Sequence, residues 1–445
     1  MPAGQKEIAL KTARRLREAG YTALFAGGSV RDELRGTPPK DFDLATSATP
    51  EEVQALFPNS DAVGAHFGVI IVKENREFIE VATFRTDGSY KDGRRPEEVT
   101  FSSPEEDAQR RDFTINGLFM DPESGEVIDF VNGRADLEAG LIRAIGDPSL
   151  RFQEDALRLL RAVRFATVTG FQIEEGTWTA ICEHAGLLKQ ISPERIRDEF
   201  SKIMVADSRA RGLDLLTDSG LAQHFLPELY PLQGCEQPPQ WHPEGDVYVH
   251  TRIALSLLEQ PSLELALSVL LHDIGKPPTQ TWDEDADRFR FNGHEKVGAD
   301  MARVILRRLR FPNQLVEDVS FAVSRHMKFM HVQDMRIAKL KRFMAADRFA
   351  EELELHRVDC ASSNGFTENY DFLVQKQEEF AAEPLIPEPF LNGRDLMEHF
   401  QLQPGPDMGR ILNALQTEQL EGRVCTQDAA LSFVKTHCLS QSPIS

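Results

Sequence analysis

Along the first third of the chain, apolar residues come in short runs broken by turns rich in Gly and Pro. TALFAG, FDLAT, GVIIV, EFIEVATF and EVIDFV are of strand length and alternate with stretches of helical period, which predicts an α/β head over residues 1–147. The opening MPAGQKEIALKTARRLREAG reads as an amphipathic helix. RTDGSYKDGRRPEEV has no period and predicts a mobile loop. From Pro148 onward the strand signal stops and helical periodicity takes over. DPSLRFQEDALRLLRAVRFAT predicts one long helix and SPERIRDEFSKIMVA another, with Ser192 as N-cap. Turn-rich PELYPLQGCEQPPQWHPEGD and AAEPLIPEPFLNG mark boundaries, giving a helical neck over 148–230, a helical body over 231–380 and a small tail over 381–445.

Composition narrows the class. A chain of 445 residues exceeds one ordinary core, and 41% hydrophobic with 27% charged residues fits a folded protein. No apolar run reaches the length of a membrane span and the start lacks a signal peptide's apolar centre, so a cytoplasmic protein without membrane contact is expected. Five scattered cysteines (Cys182, Cys235, Cys360, Cys425, Cys438) show no zinc-knuckle spacing. The net charge of −21 argues against a sequence-independent nucleic-acid coat but leaves room for a local basic groove. Arg94, Arg95, Arg110 and Arg111 form one candidate cluster, Arg158, Arg161 and Arg164 a second, and Arg303, Arg307, Arg308 and Arg310 a third.

The stretch FAGGSVRDELRGTPPKDFDLATS changes the picture. Asp41 and Asp43, one residue apart on a strand, would share a face, and two adjacent carboxylates invite a divalent cation such as Mg²⁺. Gly27, Gly28 and Ser29, opening a helix, can turn backbone N–H groups toward phosphates. An isolated Asp-x-Asp is more often a solvent-facing strand, so the remaining motifs decide.

GGSVRD (27–32), DFD (41–43), RRDFTINGL (110–118), EDALRLLR (154–161) and SPERIRDEF (192–200) occur in an order that resembles the class II tRNA nucleotidyltransferase and bacterial poly(A) polymerase family of the polymerase-β-like superfamily. The resemblance covers about the first half of the chain. It implies that Asp41 and Asp43 are catalytic and hold Mg²⁺, and that Arg111, Asp112 and Asn116 contact ribose and phosphates. It also assigns Gly27, Gly28, Ser29, Arg31 and Arg161 to the nucleotide, and Asp155 with Arg158 to the base. The last assignment also follows from chemistry. Three apart on a predicted helix, the two side chains are neighbours. A carboxylate accepts and a guanidinium donates, matching the amine and unprotonated ring nitrogen of cytosine and adenine but not the edge of uracil or guanine. The partners implied are CTP, ATP and the 3′ acceptor end of a tRNA. A full-length loop over Arg85–Val99 favours either complete CCA addition or addition of the terminal A.

In the helical body, His250, His272 with adjacent Asp273, His294, His326 and Asp359 resemble the HD phosphohydrolase superfamily. That resemblance implies a second divalent cation (Mg, Mn or Ni) on His250, His272, Asp273 and Asp359, with His294 and His326 as further candidates. Lys276 is placed to balance a substrate phosphate. Phosphate or 2′,3′-cyclic phosphate RNA ends are the implied substrates; an HD-type scaffold that has lost hydrolysis is the alternative. Three rivals to the transferase remain: a poly(A) polymerase, a phosphohydrolase with a degenerate head, and a non-enzymatic RNA-binding scaffold. Oligomeric state is not legible.

Overall fold

The computed structural model describes residues 2–64, 68–74, 76–87 and 99–438. Most of the loop expected over 85–99, with Arg94 and Arg95, lies outside the described residues. The chain forms two compact units: residues 1–231 with 305–312, and residues 232–304 with 313–445.

The first unit opens with the expected amphipathic helix, Pro2–Glu18, burying Ile8, Ala9, Ala13 and Leu16. Its sheet has seven strands in the order Ser60–Gly64, Val69–Glu74, Glu77–Thr83, Leu44–Thr46, Ala23–Ala26, Leu118–Met120, Val127–Asp129. One neighbouring pair, Leu44–Thr46 with Glu77–Thr83, is parallel and the others are antiparallel. Leu118–Met120, an interior strand next to the edge, starts at the last residue of the RRDFTINGL motif and runs too short for a period to register. All three of its residues are buried.

Two expectations at the element ends need correction, and a third holds in position. The DFD triplet precedes the strand rather than lying in it: the strand starts at Leu44, and Asp43 enters it by accepting the Ala26 N–H at 3.1 Å. The long helix expected from Pro148 is broken into Pro148–Glu154 and Leu157–Thr169. Asp155 sits between them at φ −143, ψ 103, and its Oδ1 accepts the Leu157 N–H at 3.0 Å, so the carboxylate competes with the helix for that donor. Ser192 does stand at the N-cap of Pro193–Met204, but its side chain makes no capping bond.

Beyond Pro148 the chain is mainly α-helical, as expected. Two small strand pairs interrupt it. Gln172–Ile173 pairs with Leu141–Ile142, and Thr281–Asp283 folds back on Arg288–Arg290 as a hairpin, with Asp287 at φ 48 in its turn. Both are too short to show a period. In the second unit, Val247–Ser256, Leu263–Leu271, Asn313–Arg325 and Phe349–Ser362 pack on one another. Its C-terminal part has its own apolar cluster around Leu391, Leu396, Leu415, Val424 and Val434. No helix among the described residues is long and apolar enough to cross a membrane.

Candidate functional site

Gly27 ends the strand Ala23–Ala26 at φ 67, a conformation that favours glycine, and a Cβ there would stand 3.1 Å from Arg111 Nη1. The glycine pair therefore keeps the backbone close to the RRD arginine. A cavity of about 500 Å³ opens beside it, lined by Gly27, Gly28, Arg31, Asp43, Glu80, Arg110, Arg111, Asp112, Asn116, Asp155, Arg158 and Arg161. Every transferase residue expected from the sequence thus lines one cavity, except two. Ser29 is buried and its hydroxyl donates to Ala26 O at 3.1 Å, while Asp41 is exposed next to the lining.

Two electrostatic regions share this cavity. On one side, Phe42 is buried between the exposed Asp41 and the half-buried Asp43, so the two carboxylates turn away from the core. Burial, then Asp41 and Glu80, push the Asp43 carboxyl up to about 7 against the opposing pull of Arg111. Such crowding of negative charge is what a divalent cation relieves. Glu80 was missed by sequence reasoning, although the alternation in EFIEVATF already set it on the solvent face of its strand.

Arginines form the other side, each held by a carboxylate. Asp107, buried, accepts from Arg110 Nε at 2.8 Å and from Arg111 Nη2 at 2.9 Å. Asp112 accepts from the Phe113 N–H (2.8 Å), from Asn116 Nδ2 (3.1 Å) and from Arg161 Nε (2.7 Å). Burial raises the Asp112 carboxyl, but Arg161 and Asn116 outweigh it and bring it down to about 2. Asn116 Oδ1 in turn accepts from Arg31 Nη1 at 2.8 Å. Phe165, at the cavity wall, carries Arg31, Arg161 and Arg164 over its ring at 5.2, 5.3 and 4.1 Å.

The Asp155 and Arg158 side chains do not pair with each other; each has its own partner. Arg195 Nη2 donates to Asp155 Oδ2 at 2.9 Å, and Arg158 Nη1 donates to Glu154 Oε2 at 2.6 Å and Arg151 O at 3.0 Å. Across the helix break the Arg158 N–H still donates to the Asp155 carbonyl at 3.0 Å, and both residues line the cavity. Glu154 and Arg195 lie within the quoted motifs; Glu154 precedes Arg158 by four residues, the spacing of a helical ion pair, whereas nothing in the spacing announced Arg195 as the partner of Asp155.

In the second unit the six residues singled out by the HD resemblance converge. His250 Nε2 lies 3.2 Å from His272 Nε2 and 3.1 Å from Asp359 Oδ1. Asp273 turns one oxygen to His272 (3.3 Å) and the other to His294 (3.4 Å) and His326 (3.8 Å). The Nδ1 atoms of His272, His294 and His326 meet the backbone carbonyls of Val269, Phe291 and Val323 at 2.8, 2.8 and 2.7 Å, which aims each Nε2 inward. Within each of two triads, His250–His272–Asp273 and Asp273–His294–His326, potential ligand atoms lie within 4.8 Å of one another. Clustered donors of this kind suit divalent metal. Burial lowers His272, but Asp273 and Asp359 overcome it and hold the imidazole up at about 10. Burial and the neighbouring His272 take His326 down to about 4.

Glu244 was missed. Its Oε1 meets His250 Nδ1 at 2.7 Å and His242 Nδ1 at 2.9 Å, fixing the ring that reaches the cluster. It lies in the turn-rich boundary QWHPEGD, read only as a linker. Lys276, expected to await a phosphate, is buried with Nζ 2.6 Å from Asp273 Oδ2 and 2.7 Å from Gln237 Oε1. Of the third arginine cluster, Arg308 is paired with Glu228 and Arg303 with Asp300.

Comparison with known proteins agrees with this layout. Residues 23–143 match the poly(A) polymerase head domain, 170–232 a probable RNA and SrmB-binding site of polymerase A, and 295–434 a putative tRNA nucleotidyltransferase domain 2. A CCA-adding enzyme of Lactiplantibacillus plantarum is 35% identical over 423 residues, spanning 94% of this chain and 93% of its own. That of Geobacillus thermodenitrificans is 48% identical over 222 residues, 50% of this chain and 54% of its own. The crystal structure of the Bacillus stearothermophilus CCA-adding enzyme in complex with CTP superposes with a TM-score of 0.76 at 27% identity, covering 99% of this chain and 98% of that one. With a head of this topology, a cavity built from these motifs and relatives of this extent, the chain belongs to the CCA-adding enzyme family of polymerase-β-like nucleotidyltransferases.

Proposed function

We propose that the cavity of the first unit adds C, C and A to the 3′ end of tRNA, from CTP and ATP and without a template. The observation that carries this reading is the meeting of Asp43 and Glu80 with Arg31, Arg110, Arg111, Arg158 and Arg161 in one cavity. The terminal ribose hydroxyl of the RNA attacks the α-phosphorus, the bond to the β,γ-diphosphate breaks, the hydroxyl proton is lost and pyrophosphate leaves. Asp41 and Asp43, with Glu80 beside them, would hold Mg²⁺, which supplies charge neutralisation at the reacting phosphate. Gly27, Gly28 and the backbone of Ser29 border the phosphates, while Arg31, Arg111, Asn116 and Arg161 orient them and the ribose, with Asp112 locking that set in place. A cytoplasmic location follows from these substrates.

Asp155 and Arg158 read the base as acceptor and donor, each fixed by its own partner, Arg195 and Glu154. This arrangement selects the test. Exchanging the two residues would oppose Arg195 and Glu154 with like charges, so Asp155→Asn is the better variant: it keeps the shape and offers a donor where only an acceptor stood. CTP and ATP should lose ground against UTP and GTP by tenfold or so, about 1.4 kcal/mol. The assay uses tRNAs ending before C, before the second C and before A, with all four triphosphates. Unchanged base preference, or no transfer by the wild-type chain, would sink the reading.

A second reading concerns the other unit. There His250, His272, Asp273 and Asp359 form an HD-type centre for one divalent cation (Mg, Mn or Ni), and His294 and His326 share Asp273 with it. The two faces of Asp273 favour this reading. The centre hydrolyses phosphate or 2′,3′-cyclic phosphate ends. On this view residues 1–147 are the head, 148–230 the neck, 231–380 the HD-type body and 381–445 the tail. Metal analysis of wild type and of His272→Ala/Asp273→Ala tests it: equal metal content in both removes the centre.

A further inference from the structure

Four residues of the His/Asp cluster, Asp273, His294, His326 and Asp359, line a cavity of about 680 Å³, a volume suited to a nucleotide-sized ligand. Its mouth has another chemistry. Trp241, Met327, Met330 and Phe366 line it, with 42, 39, 54 and 62% of their surface exposed. Large apolar side chains gathered in one place and left open to water suit an apolar occupant. Cations stand among them: Arg288 lies 4.3 Å over the Trp241 ring and lines the same cavity, as does Arg290. A phosphate ester of a simple polyol would meet the His/Asp residues and the guanidiniums but leave these apolar faces bare. A phosphate on a nucleoside would use both, since a nucleobase stacks on an aromatic ring whatever its sequence.

We propose that Trp241 and Phe366, flanked by Met327 and Met330, form a nucleobase platform that makes this site specific for phosphate esters borne by nucleosides. The inference rests on the reading of the His/Asp cluster as a hydrolytic centre. In the reaction, the oxygen of water joins phosphorus, the bond to the nucleoside oxygen breaks, and that oxygen takes up a proton. Free nucleotides and the last nucleotide of an RNA share the chemistry that the platform recognises.

The full chain is assayed with Mn²⁺ on adenosine 3′-monophosphate, a short oligoribonucleotide ending in a 3′-phosphate, and glycerol 2-phosphate. KM for the two nucleoside esters should be about tenfold or more below that for glycerol 2-phosphate, in line with ~1–3 kcal/mol per stacked base. Trp241→Ala and Phe366→Ala should each remove much of that advantage while leaving kcat and the glycerol ester unchanged, and Trp241→Phe should restore it. Whichever nucleoside ester binds more tightly identifies the source. Equal KM values for all three esters, or variants that affect them alike, overturn the platform. If no ester is hydrolysed, the hydrolytic reading fails, and calorimetric binding still decides the platform: it stands if wild type prefers adenosine 3′-monophosphate over glycerol 2-phosphate and Trp241→Ala does not.

Discussion

At the residue scale, the cavity of the first unit separates carboxylates that are satisfied from those that are not. Asp112 accepts hydrogen bonds from three groups, whereas Asp43 faces Asp41 and Glu80 with only Arg111 in opposition. Their substitutions should therefore diverge. Asp43→Asn or Asp41→Asn should abolish transfer of both C and A without lowering the melting temperature in chelator, because each removes a repulsion rather than a bond. Transfer assays beside thermal melts check this, and a variant that keeps near-normal Mg²⁺-dependent transfer would refute the assignment. Asp112→Asn should instead destabilise the fold by about 2 kcal/mol near neutral pH, the worth of a carboxyl lowered from 3.8 to about 2. The sign is that of a depressed acid. Its contribution is complete above pH ~4 and fades as pH falls through about 2, where the carboxyl protonates in the folded state too. Denaturant titrations of both proteins at neutral pH and at successively lower pH should show the gap closing, and a pH-independent gap would contradict this account.

Elements explain why some of this was legible and some was not. Motifs such as RRDFTINGL and EDALRLLR announced the residues of the cavity, and the apolar runs announced most of its strands. Hidden were features decided by competition at element ends. The break at Asp155 arises because its carboxylate takes the Leu157 N–H, with no Pro or Gly to signal it. Glu80 belongs to another element and only tertiary packing brings it in, whereas Asp107 stands three and four residues before Arg110 and Arg111 and Glu244 six before His250, local pairings in stretches read only for their arginines or as a linker. A similar close approach holds the second cluster together. Gly275, just after His272 and Asp273, meets the start of the helix His294–Arg308 so closely that a Cβ would fall 2.6 Å from Gly298 N and closer still to His294 O. Backbone on both sides leaves nothing flexible to yield. Gly275→Ala should cost about 1–3 kcal/mol and push His294 away from Asp273. Thermal melts with metal analysis read both effects, and a variant with native stability and metal content would show that the contact is softer than drawn.

For the whole molecule, the distribution of the two clusters matters more than its net charge of −21. Every residue lining the cavity proposed for nucleotide transfer falls in the unit formed by residues 1–231 and 305–312. The His/Asp cluster and its cavity fall wholly within the other. Neither cavity borrows a side chain from the other unit, so the chemistry of each should survive loss of the other. His272→Ala with Asp273→Ala empties one donor set and deletes the carboxylate shared by both, so it should end any metal-dependent phosphohydrolase activity. Lys276 then loses its ion pair with Asp273, which predicts a local loss of stability in that unit. Addition of C and A to a tRNA lacking its end should continue at a rate within about twofold of wild type, a difference below ~0.5 kcal/mol in barrier. The reciprocal variant, Asp41→Asn with Asp43→Asn, should retain whatever hydrolysis the wild-type chain shows while transferring nothing. Measuring both activities on both double variants makes a complete square. A drop of tenfold or more in transfer for the His272/Asp273 variant, with its first unit still folded by hydrogen exchange, would mean that the second cluster acts on the first reaction, and the independence argued from the two lining sets would be wrong.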